Sequence, residues 1–451
     1  MRFVPGDDPR IRVEADYQLR NIGTKPLSSL DLRLPGGRSF RLATAQATWD
    51  GVSLAEQHSP LLPRNAFLAL PQPWRQSERH TLHLSEELKN PAPDENGVSF
   101  ANDAFFLPSQ GWAPELLPSQ GLFSTGGAPP KHWRLEVRVP EGFLVHTSGR
   151  TARTSRSGRE ITLQTLQGAT DRYPFVVAGL YKETPLDAGD GSKIFLWTRA
   201  QEDSAGLHSA TDALVRAVQG YDATFGPRNA KLPQPLWIVE CPVVAGCFTS
   251  QQSPYANLLS AEPGAASAEL ASLDTLLIDF AGGPPKLAAA APGLAASWLG
   301  YGKNPGFYDQ APPLSALPAF ASALGQEAIE GPASRTETIR RALRMIPKGG
   351  VAHKPEASAV LRAKSFLFFY ALQERYGREA FRRAISYMLW ARQGSGFDLD
   401  DFIAAFEAET HQNIAEFVRL WMKRPGVPDD FRARYENASA AIAIRSKETM
   451  P

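Results

Sequence analysis

The chain has 451 residues, with 48 basic and 47 acidic side chains giving a formal net charge of +1, and it is 43% hydrophobic and 21% charged. That length asks for about two or three domains of ordinary globular composition. The charge balance makes no case for nucleic acid or an anionic membrane as partner, and no apolar run reaches the ~18 residues of a membrane span.

The opening residues, Met-Arg-Phe-Val-Pro-Gly-Asp-Asp, lack the apolar core of a signal peptide. A cytoplasmic location is expected from this, or an exported one if the N-terminus is truncated. From there to about residue 187 the chain alternates. Ile11, Val13, Ala15, Tyr17 and Leu19 form one period-two run, and Leu30, Leu32 and Leu34 another. Trp133, Leu135, Val137 and Val139 follow, then Ile161 and Leu163, then the apolar run Pro174–Tyr181. Strands of this kind, broken by Gly and Pro, predict an antiparallel β-sandwich over 1–187. Leu-Pro-Ser-Gln-Gly occurs at 107–111 and again at 117–121. Two copies make a hairpin or a pair of similar turns, not a repeat architecture.

Beyond this point the pattern changes. Ile194–Trp197 and Leu236–Val239 read as short strands flanking a helix near Leu207–Phe225, and the chain turns alanine-rich and helical after Thr275–Phe280. Phe366, Phe369, Tyr370, Leu372 and Tyr376 form an apolar face at helical spacing, continued by Phe402, Phe406, Ile414, Phe417, Leu420 and Trp421. Such stripes are core. Pro425, Gly426 and Pro428 stop the last helix, leaving a short tail over 429–451 with room for one strand. Strands followed by a mixed and then helical half define an α+β chain, with its second domain over 188–428.

Several strings in this order resemble the M1 (gluzincin) zinc aminopeptidases. Asp171-Arg-Tyr-Pro-Phe-Val-Val-Ala-Gly179 is similar to the last strand of that family's N-terminal domain. Pro233–Pro242 resembles the strand leading to its Gly-x-Met-Glu-Asn motif, and Leu361–Gly377 with Phe381 resembles the helix pair after its active site. Phe417–Pro428 resembles its Phe-x-x-x-Trp-x-x-x-Pro-Gly-x-Pro ending. The resemblance implies an N-terminal β-sandwich followed by a thermolysin-like domain, mostly helical after 283.

It also implies where a zinc site would stand. A His-Glu-x-x-His helix places two His one turn apart on one face, and its Glu polarises the metal-bound water. The corresponding stretch here is Ala291-Pro-Gly-Leu-Ala-Ala-Ser-Trp-Leu-Gly300. Leu294, Ala295, Trp298 and Gly300 match the family's packing residues. Pro292 stands at the first His, Gly293 at the general-base Glu and Ala296 at the second His. The third ligand, a Glu in the family, falls at Ala316, with Ser315 the next match. The amine-anchoring Glu falls at Thr249 within Gly246–Ser250, and the transition-state Tyr falls at Arg362. None of these side chains is a plausible zinc ligand or general base. Inside a helix Pro292 would cost about 3 kcal/mol and Gly293 about 1 kcal/mol, so a helix should start or kink there.

No other site takes over. The eight His form no His-x-x-x-His pair, and His80 and His83 lie three apart in a strand-like segment, facing opposite ways. Cys241 and Cys247, six positions apart, could bridge, bind metal with help, or lie buried as small apolar groups, the last being favoured. A nucleophilic Cys247 would need His208 or His353 beside it. Asp398-Leu-Asp-Asp401 reads as a helix N-terminus.

Three readings follow. The first is a pseudo-peptidase without metal or other cofactor. It would bind a peptide or protein in a cleft between 236–242 and 293–300, lined by Gly246, Cys247, Phe248 and Trp298, or would serve as a structural subunit. The second is an active zinc aminopeptidase with an unconventional site. The third is a piece of a larger peptidase-like protein. The first is preferred because the losses at 292, 293, 296, 316 and 249 occur together. Nothing in the sequence specifies the ligand or the oligomeric state.

Overall fold

The computed structural model describes residues 1–33, 35, 41–58, 65–89, 101–108, 112–113, 115–117, 132–167, 174–188, 193–199, 204–228, 235–242, 268–272, 274–278, 290–299, 312–348, 358–391 and 398–436. The chain divides into two compact units. The first holds Met1–Lys182 with Thr198–Ala200 and Cys241–Phe248, and the second holds Glu183–Trp197, Gln201–Glu240 and Thr249–Pro451.

Three sheets make up the first unit. An eight-stranded sheet runs in the order Arg150–Ser157, Glu160–Leu166, Arg134–Pro140, Arg2–Val4, Arg10–Arg20, Arg79–Lys89, Arg41–Trp49 and Val52–Leu54. Its pairings are antiparallel except for that of Arg2–Val4 with Arg134–Pro140, which is parallel. A four-stranded and a three-stranded sheet complete the unit. Alternation along Arg10–Arg20 shows how the layers form. Ile11 and Val13 enter a core shared with Phe105, Leu107, Val176 and Ala178 of the three-stranded sheet. Tyr17 and Leu19 pack instead on a core formed with Leu30, Leu32, Leu68 and Trp74 of the four-stranded sheet. One period-two strand therefore serves two cores, and the β-sandwich expectation stands with one parallel pair added.

In the second unit a five-stranded sheet has the order Tyr181–Asp187, Lys193–Arg199, Leu236–Glu240, Thr275–Ile278 and Ala268–Ser272. Lys193–Arg199, Leu236–Glu240 and Thr275–Ile278 are mutually parallel neighbours, and Ala268–Ser272 is antiparallel to the last. The described α-helices include α1 (Ser204–Phe225), α2 (Ala291–Trp298), α3 (Leu317–Glu330), α4 (Pro332–Arg344), α5 (Ser358–Tyr376), α6 (Arg378–Ala391), α7 (Leu399–Thr410) and α8 (Ala415–Lys423). Phe366, Phe369, Tyr370 and Leu372 of α5 are fully buried with Phe402, Phe406 and Trp421 in one large core. The acidic cluster is a capping box: Asp398 accepts from the Asp401 amide, and Asp401 accepts in return.

Of the tail, residues 429–436 are helical, and residues 437–451, the rest of the stretch in which one strand was expected, lie outside the described residues. Phe431 and Tyr435, four positions apart, share a helix face, and Phe431 is 1% exposed with its ring 5.1 Å from that of Trp421.

Candidate functional site

Helix α2 carries the positions where the resemblance places the metal ligands. It starts at Ala291 with no side-chain cap and with Pro292 in its first turn, where a missing amide hydrogen costs nothing and the fixed φ suits a helix. The expected break is thus a beginning. Every described residue of α2 except Pro292 is buried, and small side chains let it pack closely on its neighbours.

Two contacts set that closeness. A Cβ on Gly293 would lie 2.3 Å from Leu276 Cδ1, on the strand Thr275–Ile278. A Cβ on Gly325 of α3 would lie 2.0 Å from Tyr221 Oη and 3.1 Å from Ala291 Cβ. Tyr221 on α1 donates its hydroxyl hydrogen to the Ala291 carbonyl at 3.0 Å.

Trp298, expected to line a cleft, is interior at 1% exposure. Its ring stacks on Tyr221 with centroids 5.2 Å apart, and its Nε1 donates to Asp222 Oδ1 at 3.2 Å. The same carboxylate oxygen accepts from the Arg228 amide at 3.2 Å. Arg228 Nε donates to Ser297 Oγ at 2.9 Å, and its guanidinium lies 5.8 Å from the Trp298 ring centroid. Burial draws the Arg228 pKa down to about 10, while the Asp274 and Asp222 charges oppose the fall. The end of α1, the Arg228 turn and α2 are therefore tied by a buried polar network. Sequence reasoning missed Arg228 because its partners lie up to 69 positions away.

The remaining positions are dispersed in character. Ala316 ends the 3₁₀ turn Leu314–Ala316 and is 1% exposed, within the same core as Ala296. Arg362 is exposed on α5. Two residues on, Lys364 is buried and donates through Nζ to the Arg424 carbonyl, a cation at the C-terminal end of α8. Gly246, Cys247, Phe248 and Thr249 lie outside the described residues. The strand expected to flank a cleft, Leu236–Glu240, is paired along both sides, with Lys193–Arg199 and Thr275–Ile278. It has no free edge to offer a peptide.

A zinc ion needs three protein donors of the His, Cys, Asp or Glu kind and an open position. The side chains of α2 do not fit that demand: its one polar side chain on the buried faces other than Trp298 is Ser297, already engaged by Arg228. Among the described residues no group of three or more His, Cys, Asp and Glu could hold a metal ion. His80 Nδ1 faces Asp50 at 2.5 Å and His83 Nδ1 faces Asp16 at 2.8 Å, so each imidazole has its own carboxylate. His208 is exposed.

Cys241 is disulfide-bonded, and Cys247 is the only other cysteine of the chain. This corrects the favoured reading of two buried thiols. Cys247, the candidate nucleophile, lies outside the described residues, as does His353.

At the level of sequence no protein-family model and no curated protein matches the chain. Solved structures do. A two-domain M1 zinc metallopeptidase, a glutamate-to-alanine variant bound to L-tryptophan, is similar over 95% of this chain and 94% of its own, at 15% identity and a TM-score of 0.50. The M1 zinc metallopeptidase from Deinococcus radiodurans is similar over 95% and 92%, at 16% identity and a TM-score of 0.49. At such identity the likeness is one of fold: the chain has the two-domain M1 peptidase fold.

Proposed function

We propose that this chain is an M1 peptidase-like protein that does not hydrolyse peptides and works by binding a peptide or protein, or as a structural subunit. The observation that carries this reading is the packing of Gly293 against Leu276. Gly293, which the resemblance sets at the general base, packs on the Leu276 side chain, so a larger side chain there would require Leu276 to move. Pro292, Ala296 and Ala316 offer no donor for a metal, and Arg362 offers no phenol. No cofactor is required.

The interior placement of Trp298 and the doubly paired strand Leu236–Glu240 weigh against a peptide cleft at that location. They favour recognition elsewhere on the surface. The bonded state of Cys241 supports an exported protein over a cytoplasmic one, because disulfides persist mainly in oxidising compartments.

The test is turnover of fluorogenic aminoacyl substrates by the purified chain, with and without added zinc. The expected result is no release above a heat-treated control. Chelator-sensitive release of the N-terminal amino acid would establish an active peptidase.

A further inference from the structure

In the first unit, the strand Arg150–Ser157 stands at the end of the eight-stranded sheet. Among the described residues it pairs only with Glu160–Leu166, along one side. Nearly all of it is exposed on both faces. Its sequence, Arg-Thr-Ala-Arg-Thr-Ser-Arg-Ser, carries three arginines and no acidic residue.

Residues three apart in a regular strand face opposite ways. Here the register slips by one residue between Thr151 and Arg153, and this bulge returns Arg150 and Arg153 to the same face. Arg150 lies opposite Leu166 and Arg153 opposite Gln164, two positions apart on the neighbouring strand. Across that strand Arg134 is also opposite Leu166, and Glu136 is opposite Gln164.

The charges in these rows do not cancel. Glu136 accepts from Arg138 at 2.7 Å and from Gln164 at 2.8 Å, and those bonds hold its carboxyl below the usual range. Arg156 pairs with Glu141 at 3.1 Å. Arg134, Arg150 and Arg153 make no ion pair among the described residues. Two uncompensated guanidinium groups, those of Arg150 and Arg153, thus border a main-chain edge that is unpaired among the described residues, and that of Arg134 stands two strands further in.

We propose that this edge accepts an extended acidic peptide as an added strand. Main-chain hydrogen bonds to the open edge supply the attachment, and alternate carboxylates of the peptide, at period two, fall on the face of Arg150, Arg153 and Arg134. A second copy of the chain is a poor occupant, since pairing two such strands sets like charges against one another.

The experiment is fluorescence anisotropy of a fluorescein-labelled peptide of alternating Glu and Thr, titrated with the full chain. Saturable binding that weakens with added NaCl is expected. The double variant R150E/R153E should bind at least about tenfold more weakly, with R150Q/R153Q intermediate and R419E, on α8, unchanged. Circular dichroism checks that each variant is folded. A peptide N-methylated at alternate amides should lose binding. The proposal is overturned by absence of saturable binding, by equal binding to R150E/R153E or R150Q/R153Q, or by equal binding of the N-methylated peptide. Tighter binding of heparin oligosaccharide or oligo-dT than of the acidic peptide also overturns it, in favour of a general polyanion surface.

Discussion

The Cβ that Gly293 lacks would stand 2.3 Å from Leu276 Cδ1, and Leu276 is itself fully buried in the second unit's core. Gly293 is a packing glycine: its helical backbone needs no special φ, but its neighbour leaves no room. Replacing it by Ala gains about 1 kcal/mol of helix propensity and forces the Leu276 side chain to move, at roughly 1–3 kcal/mol. Gly293→Ala should therefore be neutral to destabilising by about 2 kcal/mol in urea unfolding. The double variant Leu276→Ala with Gly293→Ala should lose less than the sum of the single changes. Stabilisation by Gly293→Ala, with strict additivity in the pair, would contradict the packing described.

Removing Arg228 should cost more. Its guanidinium is buried beside Asp222 and Asp274 and holds Ser297 of α2. Arg228→Ala leaves those carboxylates without their countercharge, a loss of about 3–5 kcal/mol. Arg228→Lys should restore only part of it, because a lysine cannot reproduce the Nε contact or the planar group over Trp298. Chemical denaturation measures both variants, and an unfolding midpoint unchanged in Arg228→Ala would refute the network.

Alkaline pH should unfold the protein. Burial drives the hydroxyls of Tyr17, Tyr221 and Tyr370 well above the ordinary phenol range, and burial with Glu374 raises Tyr435 to about 12. A raised pKa in the folded state means stability that is complete below the unfolded value near 10 and lost as pH rises past it, by up to ~1.4 kcal/mol per unit for each buried group. Arg228 acts the other way: its folded pKa is lowered to about 10, so its contribution grows with pH above that value. One group against four leaves a net loss. Absorbance at 295 nm should show part of the 11 tyrosines titrating near pH 10 and the rest ionising only with loss of the circular dichroism signal. All 11 titrating near pH 10 with the fold intact would contradict this.

Thiol chemistry checks the bond at Cys241. Without reductant, maleimide should label no cysteine of the denatured protein, and after reduction it should label both. Cysteines six positions apart close a short loop, for which chain entropy gives about 2 kcal/mol of stabilisation. Cys241→Ser should lower stability by about that amount. Two labelled thiols in protein isolated under alkylating conditions would show the bond absent.

Much of the fold was legible in local patterns. The alternation of Ile11, Val13, Tyr17 and Leu19 announced a strand, and the spacing of Phe366, Phe369 and Tyr370 announced a buried helix face, because period alone decides both. Pro292 announced the start of α2. What stayed hidden depends on residues distant in sequence. Trp298 was expected to line a cleft, and its burial is decided by Tyr221 and Asp222, the latter 76 positions away. Leu276, which closes the space at Gly293, carries no local mark of that role. The helix at 429–436 was masked by Pro425, Gly426 and Pro428, which signal a stop but not the restart that Phe431 stabilises. Spacing alone did not reveal the bond at Cys241, and the burial usual for a free cysteine favoured a thiol there.

The most direct measurement is metal content. The purified chain is equilibrated with excess zinc, desalted, and its zinc determined by inductively coupled plasma mass spectrometry. No zinc should be retained at stoichiometric level, and neither zinc nor chelator should move the melting temperature. One zinc per chain, retained through desalting and raising the melting temperature, would contradict it.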